Sequence, residues 1–379
     1  MKIGVIGRTN VGKSTLFKAL TLEDVQIEDR PFTTIDPNKG IGYLRVKCPE
    51  SDFGVKCNPH NAPCSDGIRS VPFDLIDVAG LIEGASSGKG LGNKFLSDAM
   101  EAEALIEVID VSGKTNSSGL QTSGYYPGED VRMVESELLA WLDSIILKSK
   151  FRLGEDITLI VSKNLSGLGL TYEKVKEIIT RLKITQINPE TAHRISTEII
   201  RKAKPIVVAC NKMDSVENLK ETMDRLKGEF SYEFIPCSAA AELTLKEAAK
   251  HGFISYNGKE FKTLVEPNEQ QKNALSIIKK IIDKHGGTGV DELLNKLVFD
   301  VMGYKVVFPV EDEKKLTDGH GRILPDAYLV PGDYTPKDVA GLIHSEIADK
   351  YKGAIDCRTN MKMRNDAPVS NGQVIKIIV

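Results

Sequence analysis

The sequence predicts a three-layer α/β domain that carries an inserted helical arm and ends in a small α+β module. Two observations lead to this fold class. Short apolar runs of strand length alternate with helical patterns, which is typical of a parallel sheet covered by helices on both faces. A second pattern, with four short strands around one helix, begins only at Lys305.

The α/β domain is predicted from its buried strands. Five apolar runs have the length and composition of such strands: 2–7, 72–78, 104–111, 205–210 and 232–237. A helix is expected to begin at Gly12 and to run through Leu20. An additional segment, 40–70, is rich in Cys, Pro and Asn and precedes the strand at Pro72.

The stretch between Val111 and Pro205 is too long for one crossover helix. Apolar side chains spaced three and four residues apart predict one helix within it: Val131, Val134, Leu138, Trp141 and Ile145. Two further helices fit 171–183 and 189–203. We therefore assign 120–203 to a helical arm that divides the α/β domain into 1–119 and 204–303.

The C-terminal region has a different order of elements. Residues 269–302 are predicted to be helical, and 304–379 are predicted to form the α+β module. Its expected elements are strands 305–309, 327–330, 354–358 and 373–378, and a helix over 336–350.

Charge and composition disfavour several classes of protein, including membrane-spanning and disulfide-rich proteins. The net charge of the 379 residues is −3, so the whole chain has no strong signature of nucleic-acid binding. No apolar run is long enough to span a membrane, and the six cysteines do not make a disulfide framework at this length. We expect a cytoplasmic protein without a membrane partner.

The strongest functional signal is a glycine-rich loop between the first strand and the first helix. Its residues are Gly7, Arg8, Thr9, Asn10, Val11, Gly12, Lys13, Ser14 and Thr15. They fit the pattern G-x-x-x-x-G-K-S, in which backbone N–H groups and the helix N-terminus bind phosphates. Lys13 is expected to reach the β- and γ-phosphates, and the Ser14 hydroxyl to bind Mg²⁺. The alternative, a chance glycine turn, is disfavoured by the strand–loop–helix context.

Two further segments could complete a magnesium and γ-phosphate site. Asp77 ends a strand and can hold Mg²⁺, mostly through water, while the Gly80 N–H can meet the γ-phosphate. Thr34, in a threonine pair with Thr33, can close on Mg²⁺ when the γ-phosphate is present. Taken alone, these residues also fit an Asp-to-Gly turn and a threonine-rich turn.

A guanine-recognition motif follows the strand 205–210. Asn211, Lys212 and Asp214 form N-K-x-D, and the Asp214 carboxylate can accept hydrogen bonds from guanine N1–H and its amino group. Adenine offers no such donors at that edge, and sites built this way discriminate by roughly 10⁴-fold. After the next strand, Ser238 and Ala239 are placed so that the Ala239 N–H can donate to guanine O6.

Together these residues resemble the Obg family of translation-factor-class GTPases, and most closely its YchF-type branch in the archaeal-like form. Three segments carry the resemblance: PFTTIDPNKG at 31–40, DVAGLIEGASSGKGLGNKFL at 77–96, and VFPVEDEKKLTDGHGRILPDAYLVPGDYTPKDVAGLIH at 307–344. The last implies that 304–379 form a TGS domain, a ubiquitin-like β-grasp fold. The resemblance also implies a P-loop G domain that binds GTP and GDP with Mg²⁺, and the ribosome or RNA as partner.

Two features depart from the family pattern. Many YchF-type relatives carry Glu in the base-recognition motif and prefer ATP, whereas Asp214 keeps the guanine form here. Bacterial members use a histidine after the second switch, but none of the six histidines lies in 81–130. A GTPase with slow intrinsic turnover is therefore expected, and an ATPase or a nucleotide-gated adaptor with incidental hydrolysis is the alternative.

The catalytic group is left open by these departures. Leu81 follows Gly80 where many switch GTPases carry a glutamine that orients water, and leucine cannot do so. Asn10 is a candidate, because GTPases with a similar loop use this asparagine to hold a potassium ion beside the nucleotide. The alternative is that Asn10 only braces the loop.

The segment 40–70 offers four soft metal ligands. Cys48, Cys57, His60 and Cys64 have the spacing C-x₈-C-x₂-H-x₃-C, which suits a small zinc knuckle. A loop with free thiols, or a disulfide, fits the same spacing. We expect little metal in this segment.

Overall fold

The computed structural model describes residues 1–22, 39–78, 84, 92–148, 155–168 and 170–379. None of the helices within these ranges is long and apolar enough to cross a bilayer.

The central sheet is mixed, with five neighbouring parallel strands. Its strands are β1 (Lys2–Ile6), β2 (Lys39–Lys47), β3 (Cys64–Ser65), β4 (Ile68–Asp77), β5 (Ala104–Asp110), β6 (Ile206–Asn211) and β7 (Glu233–Pro236). The order is β2-β4-β1-β5-β6-β7, with β3 paired to β4. Strands β4, β1, β5, β6 and β7 are parallel, and β2 is antiparallel to β4. All seven residues of β5 are buried, as expected for a strand with helices on both faces.

Helices cover both faces of this sheet. They are α1 (Lys13–Thr21), α3 (Gly92–Glu101), α8 (Leu219–Glu229), α9 (Ala239–Lys250) and α11 (Val290–Asn295), which continues as a π-helix over Lys296–Val301. Helix α10 (Glu269–His285) packs against α9. A short hairpin of β8 (Ile254–Tyr256) and β9 (Phe261–Thr263) follows α9. The predicted helix 269–302 is broken, because Gly286 adopts the left-handed conformation (φ 79°) that ends α10.

The described part of the arm contains four α-helices: α4 (Gly128–Leu147), α5 (Ile157–Leu165), α6 (Tyr172–Leu182) and α7 (Pro189–Ala203). The bounds predicted for α7 are those observed, because Asn188 caps it in a capping box with Thr191 and Pro189 occupies the first turn. Arm residues share one hydrophobic core with the sheet; Trp141, Leu142 and Ile195 lie in the same cluster as Ile6 and Leu105. The arm is thus packed onto the α/β domain.

The predicted insertion 40–70 is shorter than expected. Strands β2 and β4 pair from Lys39↔Ile76 to Lys47↔Ile68, so both ends of that range belong to the sheet. Only 48–67 lie outside the pair, and they include the short helix α2 (Glu50–Phe53) and β3. We call residues 48–67 the cysteine segment.

The C-terminal module is a five-stranded sheet with two short helices. Its elements are β10 (Lys305–Val310), β11 (Tyr328–Val330), β12 (Gly353–Asp356), β13 (Met361–Lys362), β14 (Gln373–Ile378), α12 (Pro336–Ile343) and α13 (Ser345–Asp349). The order is β11-β10-β14-β12-β13, and β10 is parallel to β14. The predicted helix 336–350 is interrupted, because His344 is extended (φ −163°) and its ring accepts a hydrogen bond from the N–H of Glu346.

Candidate functional site

Loops that follow four parallel strands meet at one edge of the central sheet, because the carboxyl ends of parallel strands share an edge. The loop after β1, residues 7–14, is the phosphate loop of the sequence prediction. Gly7 and Gly12 have φ angles of 136° and 103°. A Cβ atom on Gly7 would lie 2.4 Å from the carbonyl oxygen of Val108, and one on Gly12 would lie 2.2 Å from Asn211 Nδ2. Both positions therefore require glycine.

Lys13 is held inside the phosphate loop. Its ammonium donates to the carbonyl oxygen of Arg8 at 2.6 Å, and the side chain is buried. Burial lowers the pKa of Lys13, whereas the nearby carboxylate of Asp77 acts in the opposite direction. The ammonium is thus placed at the loop's concave side, where a phosphate would satisfy it better than one carbonyl.

Asp77 and Ser14 form the second part of the site. Burial raises the pKa of Asp77, although the charge of Lys13 and a hydrogen bond with the Ser14 side chain act against that effect. The Oδ1 atom of Asp77 is buried without a hydrogen-bond partner among the described residues. A carboxylate and a hydroxyl at the β-phosphate end of the loop are hard oxygen ligands, so these residues fit Mg²⁺.

Asn211 joins three of the loops. Its Nδ2 donates to the carbonyl oxygen of Val11 at 2.8 Å, and its Oδ1 accepts from the N–H of Ala239 at 3.0 Å. The side chain is 3% exposed. The Asn211 side chain therefore connects the base-recognition motif directly to the phosphate loop.

Lys212 also connects the base-recognition motif to the phosphate loop. Its φ is 65°, and its ammonium donates to the Asn10 carbonyl oxygen at 2.9 Å and to Asp110 Oδ2 at 2.7 Å. Burial alone would raise the pKa of Asp110, but hydrogen bonds from Lys212, Ser112 and Thr115 outweigh it and lower that pKa. Asp110 was not among the predicted site residues, although a charged residue that ends a buried strand could have indicated it.

Asp214 is exposed at this edge, within a short 3₁₀ turn. Ser238 caps α9, and its hydroxyl accepts from the N–H of Ala241 at 3.4 Å. The Ala239 N–H, which we expected to donate to guanine O6, donates to Asn211 instead. A guanine carbonyl would compete with Asn211 for this donor.

The side chain of Arg8 turns away from the phosphate side of the loop. It is 1% exposed, and its Nε donates to Asp130 Oδ1 at 2.6 Å. Its Nη2 donates to the carbonyl and hydroxyl oxygens of Thr115 at 2.8 and 3.0 Å. Arg8 can therefore offer only backbone atoms to a phosphate, while its side chain fixes the loop to residues 115–130.

Asn10 and Thr9 contact the same region from the exposed side of the loop. The Nδ2 of Asn10 donates to the carbonyl oxygen of Gly119 at 2.9 Å. A Cβ on Gly119 (φ 75°) would lie 2.7 Å from Thr9 Oγ1, so the approach requires glycine. The amide nitrogen thus braces the loop, whereas a potassium ion would bind the amide oxygen. The predicted residues Thr34, Gly80 and Leu81 lie outside the described residues.

The group of possible metal ligands in the cysteine segment differs in one residue from the group that the sequence spacing indicates. Cys48, Cys57 and Cys64 approach one another together with Glu50, and their ligand atoms all lie within 4.8 Å of one another. His60 is not in this group, because its backbone N–H bonds to the Pro325 carbonyl and its Nδ1 lies 3.2 Å from Asp326 Oδ1. The structure thus places Glu50, and not the candidate ligand His60, beside the three thiols.

Three family models match the chain. A model described as 50S ribosome-binding GTPase matches residues 2–150, and one described as the G4 motif-containing domain of the Obg-like GTPase YGR210-like type matches 209–312. The TGS domain model matches 320–379. The predicted P-loop and TGS folds are confirmed.

Relatives extend the match over the whole chain. An uncharacterised GTP-binding protein of Methanocaldococcus jannaschii is 41% identical over 387 residues, which covers 99% of this chain and 98% of that protein. The crystal structure of a GTP-binding protein from Pyrococcus horikoshii OT3 has a TM-score of 0.79 and 32% identity, covering 100% of this chain and 99% of that one. The ribosome-binding ATPase YchF of Escherichia coli O157:H7 is 37% identical over 155 residues, or 38% of each chain. The chain belongs to the Obg-like, YchF-type family of P-loop GTP-binding proteins with a C-terminal TGS domain.

Proposed function

We propose that the protein hydrolyses GTP with Mg²⁺, slowly on its own, and acts as a conformational switch. The observation that carries this proposal is the Asn211 side chain, which joins the base-recognition loop to the phosphate loop through Val11 and Ala239. Because one buried amide holds both loops, occupancy by the base and position of the phosphate loop are linked.

Guanine is the base that the motif favours. The carboxylate of Asp214 has no competing strong donor other than the neighbouring Ser215 hydroxyl at 3.2 Å, among the side chains described. The alternative is an ATPase, because the Escherichia coli relative that matches 38% of the chain is named a ribosome-binding ATPase. Equilibrium competition between GTP and ATP for the purified protein separates the two, because an ATPase would prefer ATP.

Magnesium would be held by Ser14 and by Asp77, directly or through water, with Thr34 as the predicted third residue. When bound, Mg²⁺ neutralises charge that develops on the β- and γ-phosphates. The chain's own residues would do the positioning: the loop N–H groups would bind the phosphates, and Lys13 would contribute its positive charge.

A ribosome or RNA partner would supply a catalytic group in place of the water-orienting glutamine of many switch GTPases. This proposal rests on the family and on the name of the bacterial relative. GTP turnover measured with and without ribosomes tests it, since activating partners can accelerate GTPases by about 10³-fold or more. Ribosome binding that depends on the nucleotide but leaves turnover unchanged would favour the adaptor alternative.

Lys13→Ala should weaken GTP binding by about 10- to 150-fold. The substitution removes one charge-assisted contact to phosphate, which is typically worth about 1.5–3 kcal/mol. Titration with a fluorescent GTP analogue measures the change. Lys18→Ala is the matched control, because Lys18 is an exposed lysine in the same helix. Unchanged affinity in Lys13→Ala would exclude this lysine as a phosphate ligand.

GTP turnover should be faster in potassium than in sodium at equal ionic strength. A potassium ion on the Asn10 amide oxygen would stabilise negative charge between the β- and γ-phosphates. Asn10→Ala should abolish the difference while largely sparing GDP affinity. The Asn10 amide also bonds to Gly119, so a large loss of GDP affinity would indicate that the substitution disturbs the phosphate loop itself. Equal rates in the two salts would leave a partner-supplied group as the better candidate.

A further inference from the structure

The cysteine segment brings together four groups that are far from the nucleotide site in the fold. Cys48, Glu50, Cys57 and Cys64 come from the end of β2, from α2, from the following loop and from β3. Cys48 is buried, and the other three are half-buried. Three thiols that come together in this way are typical of a metal site or of a disulfide.

The spacing of the ligand atoms fits a tetrahedral metal ion. Zinc binds thiolate sulfur at about 2.3 Å and carboxylate oxygen at about 2.0–2.2 Å. Tetrahedral geometry then separates neighbouring ligand atoms by roughly 3.5–3.8 Å. The four atoms already lie within 4.8 Å of one another. Small rotations of the three half-buried side chains would close the remaining gap.

A buried guanidinium beside the cluster supports an anionic site. Arg69 is 0% exposed, and its Nε and Nη1 have no hydrogen-bond partner among the described residues. Its Nη2 lies 3.5 Å from Cys48 Sγ and donates to the Leu324 carbonyl at 2.9 Å. A buried arginine is costly unless an anion compensates it. One zinc ion with three thiolates and a carboxylate carries a net charge of −2, which supplies that compensation.

We propose that Cys48, Cys57, Cys64 and Glu50 bind one structural zinc ion. This proposal revises our expectation of little metal in the segment, because Glu50 supplies the fourth ligand that the sequence spacing assigned to His60. The zinc site is independent of the proposed GTPase activity.

The position of the site indicates what zinc would stabilise. Beside the cluster, the backbone N–H of Asn58 bonds to the Ile323 carbonyl at 2.8 Å, and that of His60 to the Pro325 carbonyl at 2.7 Å. The side chain of Asn61 exchanges two hydrogen bonds with the backbone of Ala327. The cysteine segment thus holds the TGS domain against the G domain. Zinc would fix the shape of the segment that makes these contacts.

Elemental analysis of the full-length protein after gel filtration tests the proposal. We expect about one equivalent of zinc in the wild type, nearly complete loss in Cys57→Ser, and at least tenfold weaker binding in Glu50→Gln. Glutamine keeps an acceptor for the Cys57 N–H, which bonds to Glu50 at 3.0 Å. Two controls should retain zinc: Cys357→Ala, a buried thiol of the same hydrophobic core, and His60→Ala.

A second measurement covers the case in which the cysteine variant fails to fold. Wild-type protein, stripped with a chelator and given Co²⁺ alone, should show a thiolate-to-cobalt charge-transfer band. Zinc should protect three thiols from alkylation and should raise the thermal unfolding midpoint. Absence of the cobalt band, a disulfide within the segment in freshly purified protein, or full zinc content in Cys57→Ser would each overturn the proposal. Zinc loss in His60→Ala but not in Glu50→Gln would overturn the assignment of Glu50.

Discussion

Asp214→Asn should convert the protein from a guanine-nucleotide binder into a xanthine-nucleotide binder. In the proposed site the carboxylate of Asp214 would accept from guanine N1–H and the 2-amino group, whereas an amide at this position would present a donor that matches the 2-oxo group of xanthine. Sites whose polar groups lose their partners when the wrong base binds, and are covered by that base, can be selective by roughly 10⁴-fold. Titration of wild type and variant with GTP and XTP should show opposite preferences.

The substitution is well suited to the question because Asp214 is exposed and makes only one hydrogen bond, with Ser215, among the contacts described. Folding should therefore be unaffected, and the thermal unfolding midpoint without nucleotide checks this. Asp224→Asn is the matched control, an exposed aspartate on α8. Wild-type protein that binds ATP as tightly as GTP would contradict the carboxylate argument, as would an Asp214→Asn variant that still prefers GTP.

Features set by neighbouring residues could be predicted from the sequence. The bounds of α7 follow from Asn188 and Pro189, which act within one turn of the helix. The strands at 104–110 and 206–211 follow from continuous apolar runs, because a strand buried on both faces has no polar side. The phosphate loop follows from its glycines, whose conformation and close contacts no other residue allows.

Features set by distant residues could not be predicted. The extent of the cysteine segment depends on pairing between Lys47 and Ile68, which turns both ends of the predicted insertion into sheet. The position of His60 away from the three thiols depends on the TGS domain, where Pro325 and Asp326 bond to its backbone and ring from more than 260 positions later in the chain. Helix α5 was missed because its beginning rests on a single cap, Asp156, within a stretch of mixed polarity.

The role of the Arg8 side chain also depends on distant residues and could not be predicted from the sequence. The sequence places Arg8 in the phosphate loop, where a cation suggests contact with nucleotide. In the structure it forms an ion pair with Asp130 of α4, in which both side chains are almost fully buried (1% and 2% exposed). The Tyr125 hydroxyl donates to the same carboxylate oxygen at 2.8 Å, and its ring lies 5.1 Å from the guanidinium carbon. Arg8 thus connects the phosphate loop to the first helix of the arm.

Arg8→Ala should destabilise the nucleotide-free protein by about 3–5 kcal/mol, because it leaves the Asp130 carboxylate buried without a cation. Thermal unfolding of the full chain measures the loss. Arg8→Ala/Asp130→Asn should recover part of it, since the amide carries no charge. Arg132→Ala is the matched control: Arg132 is an exposed arginine of the same helix that pairs with Glu129 and Glu229. Its loss should cost less than that of Arg8, because water screens these surface pairs.

The destabilisation should also depend on pH. Burial already raises the pKa of Asp130 above its ordinary value, although Arg8 and Tyr125 act against that effect. Without Arg8 the folded-state pKa rises further, so the folded variant binds a proton that the unfolded chain has released. By linkage, the free energy of unfolding of Arg8→Ala then falls as pH rises from the ordinary carboxyl range through this raised pKa. The difference in this free energy between variant and wild type should therefore be smaller at lower pH. A deficit that is independent of pH, or no larger than that of Arg132→Ala, would show that the buried pair does not hold the phosphate loop to the arm.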